Sequence, residues 1–314
     1  MLRSRPFLLC VVLIVILLLA CYSRIGREAR LARPVTFMAV GDVLLDRGVA
    51  RRIKANGVHW PFAEVSTIVR TADVAFCNLE CPLSVKGIKI NKPLCFKADP
   101  SNAECLTDAG FDIVSLANNH SLDCGRAGLT ETMDCLGKLG IAYCGAGDTL
   151  AESKKPVVVQ IKGLRIAFLA RNTLMPEGIW LRSDVPGEAE LDESTICREI
   201  ADARKLADAV IVSLHWGVEY SQHPRDSQTV IARKMIDAGA DLVLGHHPHT
   251  VQPIEEYHGG VIAYSLGNFL FDSPNRQCKE SMILKCRLSK AGVSDPEVIP
   301  VRITDCRPIP GGHQ

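Results

Sequence analysis

A chain of 314 residues with 36 Lys and Arg against 35 Asp and Glu carries a formal charge of +1. It offers no broad cationic face for a phosphate backbone, so a nucleic-acid partner is excluded. Thirteen cysteines lack any repeated metal-knuckle spacing, and setting aside Cys10 and Cys21 leaves eleven, an odd number that keeps at least one unpaired within a monomer. Disulfides and scattered buried thiols both stay open for the rest, because a domain of this size needs no staples.

In chain order, Arg3 and Arg5 precede an uncharged apolar run from Phe7 to Cys21. A permanent membrane helix needs about 20 apolar residues, and this run is nearer a signal-peptide core in length. Its end, Leu18-Leu19-Ala20-Cys21, resembles the lipobox of bacterial lipoproteins, which makes residues 1–21 a signal segment and Cys21 the lipid anchor. An uncleaved signal-anchor is the alternative. Either reading exports the chain and holds it at the outer, extracytoplasmic face of the cell membrane. A polar linker follows over 22–34, then one domain over 35–306, with no Pro/Gly/Ser-rich break to divide it. The tail 307–314, with two prolines and two glycines, is expected to be frayed.

Within the domain, short β-branched runs predict strands at Val35 to Val43, Val74 to Leu79, Asp112 to Leu116 and Ile141 to Cys144. Further runs lie at Val157 to Ala170, Ala209 to Leu214, Asp241 to Leu244 and Val261 to Leu266. Leu129, Met133, Leu136 and Leu139 form one helical stripe, and Ile231, Met235 and Ala238 form another that stops at Gly239. Both predict core-facing helices. Lys162-Gly163 and Gly259-Gly260 predict hairpins, so antiparallel pairs accompany βαβ units. The expected fold is α/β, a mixed sheet or a pair of sheets covered by helices.

Polar residues interrupt these apolar runs at their carboxyl ends, where open α/β sheets bind ligands. The ends read Gly41-Asp42, Asn78-Leu79-Glu80, Ala117-Asn118-Asn119-His120, His215-Trp216-Gly217 and Gly245-His246-His247-Pro248-His249. Singly each has an ordinary explanation as a cap, a turn or a solvated carboxylate. Together, imidazoles and carboxylates are the ligand set expected for divalent transition metals.

These motifs, with Asp123, Gly125, Gln252 and Ser265-Leu266-Gly267-Asn268-Phe269, resemble the CapA-type poly-gamma-glutamate capsule synthesis proteins, which are similar to calcineurin-like metallophosphoesterases. The resemblance spans Phe37 to about Ile303. It implies a metallophosphoesterase-like fold, a layered α/β/β/α sandwich of mixed sheets flanked by helices, holding divalent metal ions, two in number and drawn from Mn, Fe or Zn. It implies Asp42, Glu80, Asn119, His215, His246 and His249 as ligands, with His247 a further candidate, and His120 as the catalytic residue beside the scissile group. One position departs from the pattern: the phosphoesterase Asp-x-His has Leu44 in place of its histidine. Lys97 is a candidate for steering an anionic substrate, against the plainer reading of a solvated loop lysine.

Two classes of function follow. One is a metal-dependent hydrolase acting on a phosphoester, or on an amide or ester linkage of an anionic cell-surface polymer. The other is a non-catalytic polymer-binding subunit of an envelope polymer synthesis or export machine, beside membrane-bound partners.

Overall fold

The computed structural model describes residues 33–174 and 183–311. The apolar run ending at Cys21 and most of the linker lie outside the described residues. Among those described, no helix is long and apolar enough to cross a membrane.

Aliphatic and β-branched runs with both faces covered give strands that are buried throughout. β1 (Val35–Val43) and β2 (Val74–Leu79) start and stop as the sequence predicts, followed by β3 (Ile113–Ser115) and β4 (Ala142–Cys144). A short pair, β5 (Ala146–Gly147) with β8 (Gly187–Glu188), stands apart. The predicted hairpin at Lys162-Gly163 joins β6 (Val157–Ile161) to β7 (Leu164–Asn172), and β9 (Ala209–His215) and β10 (Leu242–His246) follow. The second predicted hairpin joins β11 (Ile254–Tyr257) to β12 (Gly260–Ala263). β13 (Asn268–Leu270), β14 (Glu280–Ser289), β15 (Gly292–Thr304) and β16 (Arg307–Pro310) complete the order.

One mixed sheet runs β16-β15-β14-β1-β2-β3-β4, with β13 also paired to β1, and a second runs β11-β12-β10-β9-β7-β6. Their facing surfaces form one apolar core, with Phe37, Phe76 and Ile113 from the first sheet meeting Phe168, Ile211 and Leu244 from the second. On the outer face of the first sheet, Met38, Cys77 and Val114 pack with helices α1 (Arg47–Asn56), α2 (Glu104–Ala109) and α3 (Gly125–Lys138). Leu129, Met133 and Leu136 are the buried stripe of α3. On the outer face of the second, Leu169, Val212 and Val243 pack with α4 (Ile196–Leu206) and α5 (Asp226–Asp237), the latter through Ile231 and Met235. Three cores between four layers make the expected α/β/β/α sandwich.

The tail differs from expectation. Instead of fraying at Arg307, the chain enters edge strand β16, paired antiparallel to β15. The prolines that suggest fraying are tolerated where ladder donors are dispensable: Pro308 and Pro310 lie on the sheet edge, and Pro296 lies where the β14–β15 register shifts.

Closing β1 against β13 demands a residue without a side chain. A Cβ on Gly41 would stand 1.8 Å from the Gly267 carbonyl oxygen, the oxygen that accepts the Asp42 amide at 3.0 Å. Backbone on both sides cannot yield cheaply, so Gly41→Ala is expected to destabilise the fold by at least the ~1–3 kcal/mol typical of overpacking. A lowered urea midpoint with an unchanged slope is the expected reading; an unchanged midpoint would contradict the contact.

Candidate metal centre

Strand register assembles the site in two rows. On the first sheet, Asp42 of β1 is level with Asn78 of β2 and Asn268 of β13. On the second, His215 of β9 is level with His246 of β10 and Asn172 of β7. All these pairs are parallel, so the carboxyl ends of β1, β2, β7, β9 and β10 align, with the first residue of β13 beside Asp42, and the shared inter-sheet core brings one row against the other.

Asp42, Glu80 and His215 each offer a ligand atom within 4.8 Å of the others, and all three are buried. Asp42 Oδ1 lies 3.3 Å from His246 Nδ1, and Asp42 Oδ2 lies 3.2 Å from His249 Nδ1. His249 Nε2 lies 3.7 Å from Glu80 Oε1. Asn119 joins through its side-chain oxygen, 2.9 Å from His215 Nε2. The structure therefore brings Asp42, Glu80, Asn119, His215, His246 and His249 into one cluster. At its centre stands Asn78, whose amide donates to Asp42 Oδ1 at 2.8 Å and to Glu80 Oε2 at 3.2 Å, while its own oxygen accepts from Asn118 at 3.0 Å.

Burial and mutual charge polarise these groups. Burial pushes Asp42 up, but the adjoining His246 and His249 imidazoles outweigh that and hold it well below the usual carboxylate range. Burial and then the neighbouring Asp42 charge push Glu80 well above its ordinary value. Burial drives His215 well down and takes His247 down to about 3. His215 and His247 thereby keep neutral rings, each with a free lone pair, while Glu80 is a carboxyl that resists ionising alone and would give up its proton to a divalent cation on binding.

Direct evidence of fit comes from polar atoms left without hydrogen-bond partners although enclosed: Glu80 Oε1, both ring nitrogens of His246, and His247 Nδ1. His246 Nδ1 approaches Asp42 without hydrogen-bond geometry. Buried orphans of this kind are rare and costly unless something occupies them, and carboxylate oxygen with imidazole nitrogen is a donor set for Zn, Mn or Fe. The residues fit a divalent metal. His247 and His249 also hold φ of 93° and 59°, left-handed values that non-glycine residues keep only where surroundings impose them.

His120 stands at the edge of this cluster. Its Nδ1 lies 2.7 Å from Asp123 Oδ2, its Nε2 lies 4.0 Å from Glu80 Oε1, and its ring packs 4.2 Å from that of Phe96. Lys92 secures the pair, its ammonium donating to Asp123 Oδ1 and to the Asn119 carbonyl, each at 2.6 Å. Lys97, the lysine singled out in the sequence, is used otherwise: its ammonium donates to the carbonyls of Val85 and Gly87 at 2.7 Å. Lys92 is thus the cation at the site, with nothing in its lysine-containing loop to distinguish it beforehand. Glu219, near His247 and His249, is the other residue that sequence reading missed. Leu44 is fully buried in the core beneath the helices, so the position that departs from the Asp-x-His pattern contributes packing and no ligand.

Residues 36–273 match the family model for the bacterial capsule synthesis protein PGA_cap. The PGA biosynthesis protein CapA of Bacillus subtilis is 35% identical, covering 86% of this chain and 72% of that protein. The capsule biosynthesis protein CapA of Bacillus anthracis is 31% identical, covering 88% and 69%. Among solved structures, a 5'-nucleotidase precursor from Thermus thermophilus superposes with a TM-score of 0.52 at 12% identity, covering 88% of this chain and 56% of that one. A hypothetical protein from the same organism gives a TM-score of 0.53 at 13% identity, covering 86% of this chain and all of its own.

Proposed function

Because the chain belongs to the bacterial capsule synthesis protein family PGA_cap, we propose that it serves capsule or poly-gamma-glutamate assembly as a metal-dependent hydrolase of phosphoesterase type, acting on an anionic cell-surface polymer or its precursor. The observation that carries this reading is the buried group Asp42, Glu80 and His215 with an unpartnered Glu80 oxygen at its centre. Asp42, Glu80, Asn119, His215, His246 and His249 would hold the ion. When bound there, a divalent metal supplies Lewis-acid stabilisation of developing oxyanion charge and an acidified water as nucleophile.

The chain's own residues provide the rest. Asp123 accepts from His120 Nδ1 and so directs Nε2 toward the Glu80 side of the cleft. Burial lowers the His120 pKa while Asp123 opposes the shift, which leaves an imidazole able to carry and release a proton at Nε2 for a leaving oxygen. Lys92 keeps Asp123 from turning away. Purified full-length protein should retain divalent metal on elemental analysis and hydrolyse an activated phosphodiester above a metal-only control. Metal-free protein that stays inactive when Mn²⁺ is supplied would remove this reading and leave the alternative, a non-catalytic polymer-binding subunit. The buried Leu44 in a ligand position favours that alternative.

The same proposal places the domain outside the cell, tethered to the membrane beside membrane-bound polymer synthesis or export subunits. Its support is the uncharged run from Phe7 to Cys21 ending in Leu18-Leu19-Ala20-Cys21. Cells fed a fatty-acid analogue should label the wild type and not Cys21→Ser. Equal absence of label, with the intact N-terminus recovered by mass spectrometry, would assign an uncleaved signal-anchor instead.

A further inference from the structure

Beside the Asp42 group lies a second set of donors. Glu219, His247 and His249 each present one ligand atom, all within 4.8 Å of one another. An exposed acid near histidines is common, but here His247 is only 6% exposed and its Nδ1 has no hydrogen-bond partner. A buried ring nitrogen without a partner is rare unless something occupies it.

Glu219 is not on a free loop. It follows Gly217, whose φ of 91° turns the chain out of β9, and precedes Tyr220 at φ 65°. The Tyr220 amide donates to the Pro248 carbonyl at 2.8 Å, inside the His246-His247-Pro248-His249 motif. The Ser221 carbonyl accepts from Thr250 Oγ1 at 2.6 Å and from Gln252 Nε2 at 2.9 Å. Three hydrogen bonds thus bolt the segment carrying Glu219 onto the histidine motif. His249 belongs to both groups, through Asp42 at 3.2 Å and Glu80 at 3.7 Å, so the two sets share a wall.

We propose that Glu219 completes the second of the two divalent-cation positions the resemblance implies, binding together with His247 and His249 next to the Asp42–Glu80–His215 group and standing in for the ligand that Leu44 does not supply. This inference rests on the metal-dependent reading above. Glu219 is the exposed member, so this site is the open one: its ion exchanges with solvent and leaves first on dialysis against a chelator.

The test uses full-length protein in detergent, stripped of metal and titrated with Mn²⁺ alone, followed by bound metal and electron paramagnetic resonance. Wild type should take up two equivalents and develop the spectrum of exchange-coupled ions. Glu219→Gln should take up one, with an isolated-ion spectrum and unchanged affinity for the tighter ion. Two coupled equivalents in Glu219→Gln would overturn the assignment of Glu219. A single equivalent in the wild type would overturn the second site while leaving the proposed function standing, and no bound ion at all would overturn both.

Discussion

His120→Ala is expected to retain the metal content of the wild type and to lose hydrolysis of an activated phosphodiester by about 10²–10⁴-fold, the usual contribution of a positioned acid or base. The separation follows from geometry. His120 spends Nδ1 on Asp123 and holds Nε2 4.0 Å from Glu80, too far for the two to be a tight pair and close enough to reach a substrate bound between them. Removing the ring takes no ligand from Asp42, Glu80 or His215. Initial rates with saturating Mn²⁺, set beside metal content on the same preparation, make the comparison. If His120→Ala instead loses metal in step with rate, His120 is a ligand and its assigned role fails. If the variant still supports polymer production in cells while the wild type shows no hydrolysis above the metal-only control, the protein is a scaffold.

Asp42→Asn should lose metal and activity together. The carboxylate is fully buried and contacts His246, His249 and Asn78 at once. The substitution removes a charged oxygen while keeping shape, and the incoming amide would point a donor at a nitrogen or at Asn78. Changes to residues that merely support a metal ligand cost about 10- to 100-fold in affinity, so loss of a ligand itself should cost no less. Competition with a chromophoric chelator reads this directly. An affinity within about twofold of wild type would show that Asp42 only organises its neighbours and does not hold the ion.

Much of this centre was legible because polar residues are conspicuous where an apolar strand stops. The ends of β1, β9 and β10 announce Asp42, His215 and His246 in that way, and the structure draws them together through register. Hydrophobic runs likewise marked β1 and β2 to the residue, since strands covered on both faces have no polar positions to blur their bounds. Strands β14 to β16 escaped because they lie toward one side of their sheet, carry charges on the solvent face and include prolines. Glu219 escaped for a related reason: an exposed glutamate in a loop looks like any other until hydrogen bonds to Ser221 and Tyr220 fix where it stands. Asn78 was visible within its motif, but its part as the shared donor to Asp42 and Glu80 depends on the chain's turn after β2, which no spacing encodes. Sequence drew attention to Lys97, yet the lysine that the fold brings to Asp123 and Asn119 is Lys92.

The two rows of ligands come from different sheets, and in the core between those sheets lies an aromatic spacer. Phe168 lies between Phe37 at 6.1 Å and Phe76 at 6.0 Å, and Phe76 in turn lies 6.1 Å from the ring of His246. The reach from carboxylate to imidazole is therefore set by the thickness of this apolar filling, in the way a shim sets the gap between two plates. Ligand geometry in this protein is a measure of how the layers seat on each other, so the tolerance of the inter-sheet core to substitution has an upper limit imposed by the cleft at its end, narrower than the limit stability alone would impose.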